Sequence, residues 1–106
     1  MPRRVHRVPL HAGEILREQF MADFGVSINR LARDLRVPPT LRVQATGIGE
    51  IVNGRRSVTP DTALRLARYF GTTPEFWMNL QSAYDLDVAR TSLPQIEADV
   101  RPIAAA

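Results

Sequence analysis

Twice in this chain a threonine, a proline and an acid follow one another, at Thr59-Pro60-Asp61 and at Thr73-Pro74-Glu75. Each triplet states where a helix begins. The threonine hydroxyl can accept from a free backbone N–H of the first turn, proline has no N–H to leave unpaired there, and the acid suits the positive end of the helix dipole. Glycine closes the first of the two segments at Gly71. Ala63, Leu64, Ala67 and Phe70 are the expected buried residues of that segment, and Phe76, Trp77, Leu80 and Tyr84 form an apolar stripe on the next. A chain punctuated in this way is committed to helices packed on helices.

Three more helices are readable upstream. One runs from about Ala12 to Phe24, with Ile15, Leu16, Gln19 and Phe20 at helical spacing and Gly25 as its stop. A second starts at the N-cap Ser27, carries Ile28, Leu31, Ala32 and Leu35 on one face, and ends at Pro38-Pro39. A third contains Ile48, Ile51 and Val52 and stops at Asn53-Gly54. No segment has the alternation of a strand. The expected fold class is all-α: five helices over residues 11–90, preceded by a basic arm at 1–10 and followed by a flexible tail at 91–106 that contains Pro94 and Pro102.

Charge is informative in its distribution. All fourteen cations are arginine. Twelve of them stand in residues 1–70 against six acids, a balance of +6, whereas residues 71–106 hold two against five, a balance of −3. A basic front implies a polyanion, and an acidic rear a different partner. The absence of cysteine excludes disulfides, zinc-finger thiolates and thiol nucleophiles. No stretch is long and apolar enough for a signal peptide or a membrane span, so a cytoplasmic protein without membrane contact is expected. His6 and His11 have no nucleophile or carboxylate set around them by spacing and read as surface histidines, and Glu14 and Glu18 are an ordinary helical pair. No catalytic residue, metal site, cofactor or small-molecule substrate is expected, and the chain is not read as an enzyme.

The second and third helices outline a helix-turn-helix unit that ends in Arg55-Arg56. Such a unit needs a polar edge to enter the major groove of duplex DNA and an apolar side to anchor it. Ile48, Ile51 and Val52 supply the anchor. Thr40, Arg42, Gln44, Thr46, Gly49, Glu50 and Asn53 are the candidates for the groove side. Arg55 and Arg56 are placed for phosphate, as are Ser27, Asn29 and Arg30 at the free N–H groups of the second helix. On the last helix, Trp77, Met78, Gln81 and Asp85 are assigned to a two-fold dimer surface.

The residues also resemble a known family. Glu14-Ile15-Leu16, Leu31-Ala32, Val37-Pro38-Pro39 and Ile48-Gly49-Glu50-Ile51-Val52-Asn53-Gly54-Arg55-Arg56 are similar to the HigA-type antitoxins of the lambda-repressor-like (XRE) class. So are the run from Thr59 to Ala67, the run Phe70-Gly71-Thr72-Thr73-Pro74-Glu75-Phe76-Trp77, and Asn79-Leu80-Gln81. The likeness spans about Leu10 to Arg90. It implies a homodimer that binds double-stranded operator DNA to repress its own operon. It also implies a protein partner, a RelE/HigB-like mRNA-cleaving toxin that the antitoxin neutralises. One stretch departs from the family: Leu41 to Gly47 separates Thr40 from Ile48, where the usual pattern passes almost directly into the recognition helix. Either a bulged loop leads to a short helix with Thr46 as its N-cap, or a helix runs from about Pro39. Gly47 and Gly49, each costing a helix about 1 kcal/mol against alanine, favour the loop.

Overall fold

A computed structural model describes residues 10–36 and 43–104, with side chains at 43–46 left aside. Among the described residues the chain is helical, without a strand. Helix α1 comprises Ala12–Ile15, a π-helical stretch at Leu16–Met21, and Ala22–Phe24. It is followed by α2 (Ile28–Asp34), α3 (Val43–Val52), α4 (Pro60–Phe70) and α5 (Pro74–Ala89). A 3₁₀ turn at Arg90–Ser92 then leads into α6 (Leu93–Asp99).

The caps act as the sequence requires. Thr59 accepts from Thr62 N–H and Thr73 from Phe76 N–H, at 3.3 and 3.1 Å. Ser27 accepts from Arg30 N–H at 3.1 Å. These bonds satisfy donors that a helix leaves open at its start.

The core gathers the inner faces of all five main helices, with Trp77, Leu16, Leu31 and Leu66 its largest fully buried side chains. Phe20, on the π-helical turn, lies 5.0 Å from Trp77 and 5.2 Å from Phe70, ring centre to ring centre. Trp77 donates its indole N–H to Thr72 Oγ1 at 2.8 Å, so its one polar atom is satisfied inside. No helix among the described residues is long and apolar enough to cross a membrane.

Four expectations need correcting. Leu64 is 59% exposed and Leu66 is buried in its place. The apolar arc of α4 is centred on Ala63, Leu66 and Ala67, and Leu64 lies off it. Residues 93–99, expected within a flexible tail, form α6. The stretch read as a bulged loop is helical from Val43 onward, so Thr46 lies inside α3 and is not its N-cap. Both glycines are accommodated there because neighbouring elements bury this helix. Finally, Trp77 and Gln81 cannot form a dimer surface: they are 0% and 3% exposed within the single chain. The width of the apolar stripe on α5 misled that assignment, since it faces α1 and α4.

Candidate nucleic-acid interface

The site is built from α2 and α3, which pack as a pair. Ile48, Ile51 and Val52 turn inward from α3 and are nearly inaccessible. Gly49 lies at the seam: a β-carbon there would sit 3.8 Å from Ile28 Cγ2 at the start of α2. This brings Ser27, Asn29 and Arg30, all exposed, alongside the middle of α3. Arg30 donates Nε to Asp34 Oδ2 at 3.2 Å, so its guanidinium is directed back along α2.

The far end of α2 is tied to α4. Arg36 closes it with φ 61°, a left-handed conformation that a non-glycine residue adopts only at some cost. Arg65 of α4 donates Nη1 to the carbonyls of Leu35 and Arg36 at 2.8 and 3.2 Å and Nε to Asp61 at 2.8 Å. Tyr69 donates its hydroxyl to Asp34 Oδ2 at 2.5 Å. That bond, helped by Arg30, holds the Asp34 carboxyl below its usual pKa, and the same bond lifts the Tyr69 phenol above its own against the opposing pull of Arg30. Two side chains of α4 thus fix the angle at which α2 presents its free N-terminus.

The exit of α3 is fixed from three sides. Gly54 takes φ 77°, which reverses the chain, with Gly54 N–H on Ile51 O at 3.0 Å and Arg55 N–H on Glu50 O at 2.7 Å. His11 Nδ1 accepts from Gly13 N–H at 2.8 Å and so caps α1. Its ring stands edge-on to Tyr84 at 4.9 Å and against Gly54. His11 is therefore a buried helix cap, not the surface histidine expected from the sequence. Burial lowers its pKa, against the opposing charges of Asp85 and Glu14. At Gly13 the backbones of α1 and α3 touch, leaving no room for a side chain: a β-carbon would fall 1.6 Å from Ile51 O. On the other side Gln81 accepts from Val58 N–H at 2.9 Å and donates to Asp85 at 3.0 Å, tying the loop after α3 to α5.

Beyond this frame, Arg55 is exposed, and its side chain makes no hydrogen bond or ion pair with another described residue. Arg56 is half-exposed and folds back to Glu50 on α3. Asn53 is exposed at the helix end. Thr40 and Arg42, with residues 1–9 of the basic arm at 1–10, lie outside the described residues, as do the side chains of Gln44 and Thr46. The residues that sequence reasoning missed are His11, Gly13 and Arg65, which position the site without belonging to its surface. A glycine in the first turn of a helical pattern was the available signal for a close backbone approach.

The sequence pattern of the helix-turn-helix family matches residues 18–77. The Pseudomonas aeruginosa antitoxin HigA, solved with the higBA promoter, is 43% identical. It superposes with a TM-score of 0.79 over 90% of this chain and 98% of that one. Antitoxin HigA-1 of Vibrio cholerae is 31% identical over 101 residues, 95% of this chain and 90% of that protein. This chain belongs to the HigA-type antitoxin family. An uncharacterized HTH-type transcriptional regulator of Haemophilus influenzae is also similar, 40% identical over 80 residues that make up 76% of this chain and 69% of that protein. The HigA likeness extends past the helix-turn-helix pair through α4 and α5, the helices that aim the interface.

Proposed function

We propose that this chain is an antitoxin that binds the promoter of its own operon as a dimer and neutralises a RelE/HigB-like mRNA-cleaving toxin in the cytoplasm. The supporting observation is the α2–α3 pair: an inward-anchored helix with Gly49 and Glu50 part-exposed, the N-terminus of α2 alongside it, and Arg55 and Arg56 at the exit. These are the parts a major-groove reader needs, and the Pseudomonas HigA that superposes on them was solved with promoter DNA. Ser27, Asn29 and Arg30 take phosphate beside α3, and Arg55 and Arg56 take it past the helix end. Glu50 and Asn53 are the described candidates for the side that faces the bases, Thr40, Arg42, Gln44 and Thr46 are proposed for it from the sequence alone, and Gly49 packs at the α2 seam instead.

A dimer places two copies of α3 in successive major-groove faces, about 34 Å apart. With Trp77 and Gln81 inside the fold, the dimer surface moves to the end of α5 and to α6. There Leu86, Leu93, Ile96 and Val100 are exposed by 44–62%. Of the residues first assigned, Asp85 and the half-buried Met78 remain on that helix's accessible side.

Gel shifts with the DNA directly upstream of the gene test the repressor half. Replacing both Arg55 and Arg56 with alanine should weaken binding to all duplexes and flatten the salt dependence by about one unit per lost phosphate contact. Co-expression with the adjacent gene tests the antitoxin half, scored as growth rescue and co-purification. The Haemophilus relative supports a second reading, a regulator without a toxin. Promoter binding with no rescue by this chain would favour it.

A further inference from the structure

Arg56 is held in a way that phosphate attraction alone does not explain. The reversal at Gly54 lays it back along α3. Its Nε and Nη2 stand on a single carboxylate oxygen, Glu50 Oε1, at 3.0 and 2.9 Å. Its Nη1 lies over Gly47, where a β-carbon would be 3.4 Å from Nη1 and 3.8 Å from Cζ. Gly47 is buried beneath it. Neither feature is needed to hold α3. A glycine inside a helix weakens it, and an exposed ion pair adds little to stability.

We infer that Glu50 and Gly47 are positioning residues that clamp the Arg56 guanidinium to the flank of α3 and present its free Nη edge to one DNA phosphate. This rests on the DNA-binding reading above. With Nε and one side of Nη2 committed to Glu50, the remaining Nη hydrogens form a planar fork. Such a fork matches two phosphate oxygens at once. A loose arginine would follow any phosphate on any duplex. A clamped one demands that the phosphate stand at a set place relative to the recognition helix, so backbone contact is coupled to base reading. Glu50 thereby raises discrimination between sequences although its own charge repels DNA.

The test uses the full chain and two duplexes of equal length, the DNA directly upstream of its gene and a scrambled version. The readout is the ratio of their dissociation constants. Glu50→Ala should lower that ratio about tenfold while leaving scrambled DNA bound as tightly or more tightly. Glu50→Gln keeps an acceptor oxygen without the charge and should retain most of the ratio. Arg56→Lys keeps the charge but not the fork, and should lose discrimination with the salt slope unchanged. The Glu50→Ala, Arg56→Ala double variant should lose no more than Arg56→Ala alone. Thermal unfolding should show all variants folded. The inference is overturned if Glu50→Ala and Glu50→Gln both tighten the two duplexes equally, since Glu50 then only repels. It is overturned as well if the losses at Glu50 and Arg56 multiply. Wild-type protein that binds neither duplex, or both alike, would instead remove the DNA-binding reading itself.

Discussion

Helices α3 and α4 are similar in length and reach their shape by opposite routes. Helix α4 carries its own instructions: Thr59 caps it, Pro60 opens it, Asp61 pairs with Arg65 four residues on, and Gly71 ends it. Helix α3 contains Gly47 and Gly49 and is poor by local preference. It is helical because Ile48, Ile51 and Val52 are buried, Gly13 admits its backbone, and the loop behind it hangs from Gln81. A locally weak helix is placed by its surroundings, so the position of α3 depends on residues in α1 and α5.

That contrast can be broken in graded steps. Trp77→Ala removes the common support of α1, α4 and α5 and should cost about 3–5 kcal/mol in chemical denaturation, loosening both halves together. Gly13→Ala should cost about 3 kcal/mol by driving a β-carbon into the Ile51 carbonyl. Its signature is selective: hydrogen exchange should speed in α3 before α4, and equal speeding in both would refute the distinction. Thr59→Ala should cost about 1 kcal/mol, read as a lower melting temperature, because α4 loses the acceptor for Thr62 N–H. Gly49→Ala runs the other way. A methyl group there meets Ile28 at ordinary contact distance, so α3 should gain up to about 1 kcal/mol, and a loss would mean the seam is tighter than it stands.

The smallest effect is a pH dependence centred on His11. Burial lowers its pKa in the folded chain below the 6.5 of the free side chain, so the unfolded chain binds the proton more readily. The stabilisation from a neutral His11 is complete above 6.5 and is lost as the pH falls through that value toward the folded pKa. Protonation also removes the Nδ1 acceptor from Gly13 N–H, at the contact that seats α3. His11→Asn, which keeps a capping acceptor that does not titrate, should flatten the fall in melting temperature on acidification.

Much of this was legible in the residues themselves. Thr59-Pro60, Thr73-Pro74, Ser27 and the closing glycines act within a few residues of their own position, so their effect is visible in the sequence. The inward face of α3 was visible for the same reason, as periodicity is local. The failures share a cause. Leu64 and Leu66 are equally apolar, and only the direction of α1 and α5 decides which is covered. Trp77 on an apolar stripe suits a core and a dimer surface alike, and Phe20 and Phe70 around it settle the matter. His11 looked like a solvated residue because Tyr84 and Gly54, distant in sequence, bury it.

By itself the sequence determined an all-helical chain, the starts and stops of most of its helices, and a basic helix-turn-helix exit, since capping chemistry, periodicity and charge are properties of neighbouring residues. Tertiary structure decided that α3 is a helix through both its glycines, that Trp77 and Gln81 support the core, and that Arg56 is held by Glu50. The first two depend on contacts between segments distant in sequence, which carry no local mark, and the third on the chain reversal at Gly54 that brings Arg56 back onto α3.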